Sequence, residues 1–493
     1  MLLKGEENKK ERGILLAISS LPSDYGIGSF GEEAYNFVDF LNKTEQTCWQ
    51  ILPLCPLGKD NSPYASSSCF AGEILYIDID LLIKDGLLKK SDIEKRQFQK
   101  NVDYETVRKF KLPLIKKATQ NFDTSSNEFA QFLKKNSFWL DDYALFMAIK
   151  ENCQYKPFCE WEEGLKYRHQ DVLEEFRQTH EKEIMFYQIS QFFFFSQYER
   201  LKTYANDAGI EIIGDIPFYV SLESADVWAN PENFKLSLDM TPTCVAGVPP
   251  DIFSKTGQLW GNPIYDWQYL KKTDYLWWRK RLIHSARLYD TIRIDHFRAF
   301  GDYYSINYKA CDATVGKWEI GAGMEFFESV NPYIKDTKII AEDLGGENSP
   351  IVQKLVAATG FPNMKVLQFA FSSDLGNPFL PDNFGHNCVC YTGTHDNDTT
   401  NGWYEKAEDK ERLLFNRLVP GEQNASPALR LIAYAMKSKA RTVIIPFQDY
   451  LELGSEGRMN IPGTAEGNWE WRFEKQDINS ELINKVLYFS FRE

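Results

Sequence analysis

The 493-residue chain has no apolar run long enough to cross a membrane. A spanning helix needs about 20 mostly apolar residues, and no stretch here approaches even about 18. The N-terminal segment MLLKGEENKKERG is charged and leads only into a short apolar run at 14–18. It therefore lacks the apolar region and cleavage site of a secretory leader. We expect a cytoplasmic protein that does not bind membranes.

Paired cysteines and excess basic charge are also missing. The nine cysteines are scattered and form no paired CxxC pattern, which argues against a disulfide framework or a zinc site. Cys388 and Cys390 flank one residue of an apolar run, which indicates buried, reduced thiols. The 70 acidic and 56 basic residues give a net charge of −14, which opposes binding to nucleic acid. We expect no metal, no cofactor and no nucleic-acid partner.

What is present is an ordinary globular composition, with 43% hydrophobic and 26% charged residues. The length predicts either about three domains or one large barrel with insertions. The 35 Phe, 25 Tyr and 12 Trp exceed what a minimal core requires, so some flat apolar faces are available for a ligand.

Eight short apolar runs end in polar or glycine residues and predict strands buried on both faces. They are Gly13–Ser19, Thr47–Leu54, Glu211–Phe218, Thr291–His296, Lys338–Leu344, Met364–Phe371, Cys388–Asp396 and Ala440–Tyr450. Helical patterns such as Glu32–Asn42 and Tyr198–Asp207 separate most of them. Eight buried strands alternating with helices predict an α/β fold, a (β/α)8 TIM barrel.

The uneven spacing of the runs predicts long insertions. About 155 residues separate the second run from the third, far more than one crossover helix needs. Segments 137–151 and 183–204 have helical patterns, and the Phe192–Phe195 block within them is typical of packing. We expect the first barrel units in 1–81, a mainly helical insertion in 82–200, and the remaining barrel in 201–493 with an inserted active-site loop region at about 221–275.

A glycine pattern, Gly26-x-Gly28-x-x-Gly31, matches the dinucleotide-binding fingerprint but does not predict such a site. That fingerprint must follow a strand directly, whereas Ser20–Tyr25 intervenes here, and no acidic residue ends the second predicted strand. The pattern indicates a turn that leads into the helix at Glu32.

The ends of three predicted strands carry carboxylates: Asp295, Glu342 and Asp396. A barrel gathers its catalytic groups at the C-terminal ends of its strands, so all three can meet at one mouth. Arg293 and Asp295 are two apart on a strand and point to the same side, which favours an ionised nucleophile. Like charges raise the pKa of a carboxyl, so Glu342 can stay protonated as a general acid, with Asp396 as the third carboxylate. The set fits glycosyl transfer with retention.

Other interpretations of these carboxylates stay open. Each alone is more often a structural ion pair or a loop cap. Metal binding is the rival chemistry, but hard cations prefer several oxygen ligands, and no such tight cluster occurs in the sequence.

The segments RIDHFR, AEDLG and YTGTHDND resemble the catalytic segments of the amylomaltase-type 4-α-glucanotransferases, or disproportionating enzymes, of the α-amylase clan. Further similar segments, over about residues 13–473, are NSPY (61–64), IIGDIPFYV (212–220), GVPPDIFSKTGQLWGNP (247–263), RMNIPGT and NWEWR (458–472). The resemblance implies a cofactor-independent enzyme that uses maltooligosaccharides or other α-1,4-glucans as donor and acceptor.

The resemblance also implies a role for each matching residue. Asp295 would be the nucleophile, Glu342 the acid/base and Asp396 the transition-state stabiliser. Tyr64 would stack on the sugar, with packing as the alternative, and Asp215 would be either a binding or a structural carboxylate. Ser62 would form a hydrogen bond near Tyr64, and Gln258 and Trp260 would lie on a loop that covers the acceptor side. Arg293, His296 and His395 would contact the sugar ring or orient the acids. Asn460 and Asn468 would close the site from the last loop.

Two alternatives to the transferase remain. An α-amylase-like hydrolase would use the same acids with water as acceptor, but only about 43 residues follow the eighth strand, too few for the roughly 100-residue β-sandwich that amylases usually carry. A barrel that binds glucan without catalysis is the alternative of another class, and the presence of all three carboxylates argues against it.

Overall fold

The computed structural model describes residues 10–58, 60–250, 254–372, 374–421 and 424–491. Its strands are β1 Glu11–Leu15, β2 Cys48–Gln50, β3 Glu211–Ile216, β4 Cys244–Val248, β5 Gln258–Pro263, β6 Thr291–Ile294, β7 Asp302–Asn307, β8 Gly316–Ile320, β9 Lys338–Ala341, β10 Asn363–Val366, β11 Cys388–Tyr391 and β12 Thr442–Pro446. Eight of them close a parallel barrel in the order β1-β2-β3-β6-β9-β10-β11-β12. The (β/α)8 prediction is confirmed.

All eight predicted strands are barrel strands, but several end earlier than predicted. The run Thr47–Leu54, for example, contributes only Cys48–Gln50 to the barrel. Apolar residues continue past the last ladder hydrogen bond because the loops above the strands pack against the core as well. The early ends free the following residues to leave the sheet, and the three predicted carboxylates Asp295, Glu342 and Asp396 lie past such ends.

Eighteen α-helices accompany the strands among the described residues. They are α1 Glu32–Lys43, α2 Ile79–Lys84, α3 Tyr104–Gln120, α4 Asn127–Asn136, α5 Leu140–Asn152, α6 Glu163–Lys166, α7 Gln170–Thr179, α8 Glu181–Asp207, α9 Ala225–Ala229, α10 Trp267–Lys272, α11 Leu276–Leu288, α12 Gly323–Ile334, α13 Pro350–Thr359, α14 Thr400–Lys406, α15 Asp409–Leu418, α16 Pro427–Met436, α17 Phe447–Tyr450 and α18 Ser480–Ser490.

Among the described residues between β2 and β3, the regular elements are helices, α2 to α8 in succession, with no strand. Its final helix, α8, runs without a break for 27 residues and covers both the predicted 183–204 and 198–207 segments. Within it, Phe193 and Phe194 are almost fully buried, and Phe192 packs against Phe122 and Phe129. The interpretation of this phenylalanine block as packing is therefore confirmed.

A second, four-stranded antiparallel sheet lies outside the barrel, and the sequence patterns did not predict it. Its order is β5-β4-β7-β8, so two strands come from the residues between β3 and β6 and two from the residues between β6 and β9. Val245, Tyr304, Ile306 and Ala313 form a small core of their own beside it. Strands β4 and β7 lie far apart in the sequence, so no short-range turn pattern predicts their pairing.

Two smaller predictions, the turn before α1 and the two buried cysteines, are also confirmed. Gly26 has a φ of +82° in the turn before α1, and that helix begins at Glu32 as predicted. Cys388 and Cys390 are buried free thiols, and burial raises the pKa of both. No helix in the described part of the chain combines the length and apolar character needed to cross a membrane.

Candidate active site

The ends of β3, β6 and β9 bring charged side chains together at one mouth of the barrel. Asp215 on β3 lies opposite Arg293 on β6, while Ile294 lies opposite Ala341 on β9. The residues that follow this last pair are Asp295 and Glu342. Adjacent parallel strands are about 4.8 Å apart, so the register itself makes these two carboxyl groups neighbours.

The buried side chain of Arg293 binds the carboxylate of Asp295. One nitrogen of Arg293, Nη1, donates to Asp215 Oδ2 at 2.6 Å and to Asp295 Oδ1 at 3.1 Å. Tyr64 Oη donates to the same Asp215 oxygen at 2.8 Å. Asp215 is 1% exposed, and its Oδ1 has no hydrogen-bond partner in the part of the chain that the structure describes. Asp215 therefore holds the charge of Arg293 in place, while Asp295, whose side chain is 28% exposed, faces the mouth.

Burial raises the pKa of Asp295, and the Arg293 guanidinium works against that rise. The negative charges of Asp215 and Asp396 add to the increase in pKa. The hydrogen bond from Arg293 favours the ionised form of Asp295, as a nucleophile requires.

Glu342 accepts two backbone hydrogen bonds, one on each carboxyl oxygen. His296 N donates to Oε2 at 2.6 Å, and Leu344 N donates to Oε1 at 2.9 Å. Burial is the main cause of the raised pKa of Glu342, and the charge of Asp295 is the second. The predicted direction is therefore right, but removal from water contributes more than the like charges from which it was argued. Because Asp295 is bonded to an arginine and Glu342 is not, the geometry favours the proton on Glu342 rather than on Asp295.

On the assignment of Glu342 as the acid that the resemblance implies, we expect the rate of glycosyl transfer from a glucan to fall on the alkaline side as Glu342 loses its proton. Because the raised pKa moves deprotonation above the usual value of about 4.3, this limb lies at higher pH than for an exposed glutamate. Initial rates across pH check this for a natural glucan. With a glycosyl fluoride donor, whose leaving group needs no proton, the alkaline limb of the single-turnover first step should vanish. A limb that persists with the fluoride would contradict the assignment of the proton to Glu342.

Asp396, the third carboxylate, is held by residues of two loops. Asn460 Nδ2 donates to Asp396 Oδ1 at 2.6 Å, and His395 Nε2 lies 3.4 Å from the same oxygen. The Asp396 side chain is 47% exposed, so its other oxygen is accessible from the mouth. Burial lowers the pKa of His395, which is a neutral imidazole at neutral pH.

Three rings line the wall beside these acids. The Tyr64 and His395 rings stack, with centroids 5.1 Å apart and planes 17° apart. Trp469 lies 5.8 Å from each of them. Sequence reasoning assigned Trp469 no role, although the segment NWEWR contains it. Its φ of +67° is rare for a bulky residue, and Tyr104 Oη holds its carbonyl at 2.7 Å. No local sequence signal predicts that conformation.

His296 and Trp260 form a second wall, and the backbone N of His296 bonds to Glu342. Their rings meet edge to face at 4.8 Å, and Trp260 Nε1 donates to Gln258 Oε1 at 3.1 Å. Burial lowers the pKa of His296 to about 3, so this ring is also neutral. The prediction that Gln258 and Trp260 lie on a loop is wrong. Both belong to β5, because that segment pairs with β4, and the strand presents Trp260 with 37% of its surface exposed.

Two predicted residues make local contacts instead of contacts to the carboxylates. Ser62 Oγ accepts a hydrogen bond from Tyr64 N at 3.2 Å and so supports the turn that carries that ring. Asn468 bonds within its own loop, to Ile461 N and to Thr464. Residues 251–253 of the GVPPDIFSKTGQLWGNP segment lie outside the described residues. Across the described ranges, no group of three or more His, Cys, Asp or Glu side chains is arranged to hold a metal ion.

Comparison with known proteins identifies the family. The model of the 4-alpha-glucanotransferase family matches residues 16–477. The chain belongs to the 4-alpha-glucanotransferase family. It is 44% identical to the 4-alpha-glucanotransferase of Clostridium butyricum, over 95% of this chain and 97% of that one. It is also 44% identical to the 4-alpha-glucanotransferase of Synechocystis, over 98% and 97% of the two chains.

Solved structures agree with the fold. The amylomaltase from Streptococcus agalactiae in complex with acarbose superposes with a TM-score of 0.95 at 39% identity, covering 98% of this chain and 99% of that one. The amylomaltase from Corynebacterium glutamicum has a TM-score of 0.77 at 19% identity and covers 98% and 75%, a likeness that concerns the fold alone.

Proposed function

We propose that the enzyme transfers a segment of an α-1,4-glucan to the 4-hydroxyl of a second glucan or of glucose, by a retaining double displacement. The 4-alpha-glucanotransferase activity itself follows from family membership. The α-glucan substrate class is supported by the related amylomaltase that was solved with acarbose. The proposal adds the roles of individual residues.

In the first step, Asp295 attacks the anomeric carbon while Glu342 protonates the glycosidic oxygen. The bond between carbon and the leaving oxygen breaks, the reducing-end fragment leaves with the proton, and a covalent glycosyl-enzyme forms. The observation that carries this proposal is the asymmetric pair itself: Asp295 bonds to a buried arginine, whereas Glu342 is buried beside it without one.

In the second step, Glu342 acts as the base. It takes the proton from the 4-hydroxyl of the acceptor, whose oxygen displaces Asp295 from the anomeric carbon and restores the α configuration. Asp396 would stabilise the positive charge on the sugar in both transition states. The neutral rings of His296 and His395 would bond to sugar hydroxyls, and Tyr64 and Trp260 would contact sugar faces on the two walls.

Maltotriose as the only substrate separates transfer from hydrolysis. We expect glucose and a ladder of longer dextrins, with almost no rise in total reducing ends, since each transfer conserves the number of glycosidic bonds. Chromatography of the products and a reducing-end assay on the same samples give both quantities. A steady rise in reducing ends would favour a hydrolase, and unchanged maltotriose would favour a barrel that only binds glucan.

The proposed compartment is the cytoplasm. All nine cysteines are free, as in proteins kept in a reducing environment. Two plant relatives carry names that place them in chloroplasts or amyloplasts, so a shared activity does not by itself set the compartment.

A further inference from the structure

An arginine on the loop after β12 contacts the main chain of Asp396. Arg458 Nη2 donates to the Asp396 carbonyl at 2.9 Å, and Arg458 Nε donates to the Asn460 carbonyl at 2.8 Å. The side chain of Arg458 is only 22% exposed. One guanidinium therefore joins the loop after β11, which carries Asp396, to the loop that carries Asn460.

The side chains complete a closed set of contacts between the two loops. Asn460 Nδ2 donates to Asp396 Oδ1, so Asp396 is held both at its carbonyl and at its carboxylate. Because nearly half of the Asp396 side chain is exposed, packing alone does not select its rotamer. Its direction depends on how the two loops are placed, and Arg458 is the side chain that bonds to the carbonyls of both Asp396 and Asn460.

A second carboxylate balances the charge of this arginine. Asp398 Oδ2 lies 3.9 Å from Arg458 Nη1 and also accepts hydrogen bonds from Lys406 Nζ and Ser455 Oγ, both at 2.7 Å. Lys406, whose side chain is 63% exposed, binds the same carboxylate and Ser455 Oγ, and within the described ranges it contacts neither Asp396 nor Asn460. It provides a matched control for the loss of one positive charge beside Asp398.

We infer that Arg458 is a positioning residue for Asp396: it fixes the direction of that carboxylate by bridging the carbonyls of Asp396 and Asn460, and it does not itself touch the reacting sugar. The inference rests on the proposed role of Asp396 as transition-state stabiliser. A lysine cannot replace this residue, because a single ammonium nitrogen lacks the two divergent donors of the guanidinium plane.

We expect Arg458→Gln and Arg458→Lys each to lower kcat by about 10- to 100-fold, the cost of a small misplacement at a reacting centre. KM should change by less than about threefold, because the residue does not contact the glucan. Lys406→Gln should keep kcat within about twofold of the unchanged enzyme. Equal losses in the Lys406 and Arg458 variants would assign the effect to the charge of Asp398 and overturn the inference.

A double-mutant cycle with Asp396→Asn tests whether Arg458 acts through Asp396. The readout is the single-turnover reaction with a maltotriosyl fluoride, which keeps slow variants measurable. If the two residues act as one unit, Arg458→Gln should lower the single-turnover rate by less than about threefold in the Asp396→Asn background. The same loss in both backgrounds, or full activity of Arg458→Gln, would overturn the inference.

The controls separate this inference from the proposed function. Full activity of Asp396→Asn would reject the role of Asp396, whereas an inactive Asp396→Asn beside an active Arg458→Gln would reject the role of Arg458 alone. Thermal unfolding of every variant identifies loss of structure. If Arg458→Gln does not fold, the Arg458→Lys variant, which keeps the charge, serves in the same cycle.

Discussion

The Asp295→Asn enzyme is expected to lose disproportionation activity by at least about 10^4-fold while it remains folded. The substitution replaces the proposed nucleophilic oxygen with an amide that cannot attack the anomeric carbon, and it changes the side-chain volume very little. It also removes a carboxylate whose pKa is raised by burial. A group with a raised pKa opposes folding when it is ionised, so the melting temperature at pH 8 should be unchanged or higher.

A second aspartate beside β6 provides a matched control. Asp290 precedes the strand at the opposite end of the barrel, where its Oδ2 accepts a hydrogen bond from Ile212 N at 2.8 Å and its Oδ1 lies 3.0 Å from Lys202 Nζ. Asp290→Asn should lower the melting temperature but keep kcat within about threefold, since groups at that end of a barrel serve stability. Normal turnover in Asp295→Asn would contradict the assignment of Asp295 as the nucleophile.

The Glu342→Ala enzyme is expected to react with natural glucans about 10^3-fold more slowly, which is the usual contribution of a general acid. With a maltotriosyl fluoride, the rate of the first step should fall only slightly, because fluoride leaves without a proton. The glycosyl-enzyme should then accumulate, since no base remains to activate the acceptor hydroxyl. A burst of fluoride release, equal to the enzyme concentration, is the signal to measure.

Azide distinguishes the two carboxylates by the configuration of the product. In Glu342→Ala, azide needs no base and should displace Asp295 from the glycosyl-enzyme, giving the α-glycosyl azide with overall retention. In Asp295→Ala, azide in place of the missing nucleophile should attack the α-fluoride directly and give the β-anomer. Proton NMR of the anomeric signal reads the result. The same anomer from both variants would contradict the separate roles.

The barrel could be predicted from the sequence because a local sequence pattern marks each of its strands. Each is a short apolar run buried on both faces, and a run such as Thr291–His296 carries this pattern without reference to the rest of the chain. The carboxylates followed from the same reasoning, since Asp295 and Glu342 are the residues after paired strand ends. The exact strand ends did not follow, because core packing continues above the ladder.

Features that depend on distant parts of the chain were not predictable in this way. The antiparallel sheet that turns Gln258 and Trp260 into strand residues needs β4 to pair with β7, about 60 residues later. The left-handed backbone of Trp469 depends on contacts from Tyr104 and Met459. The bridge from Arg458 to Asp396 joins two loops that no sequence pattern connects. These three features form or support the walls of the site, whereas the reacting carboxylates could be predicted from the strand ends.

The most direct test of the central claim is to locate the covalent intermediate. The Glu342→Ala enzyme is incubated with a maltotriosyl fluoride, quenched in acid, digested with pepsin and examined by mass spectrometry. We expect one added maltotriosyl group for each chain, on a peptide that contains Asp295 and with fragment ions that place the sugar on that residue. An adduct on a different residue, or turnover that never passes through an adduct, would contradict the retaining mechanism proposed for this enzyme.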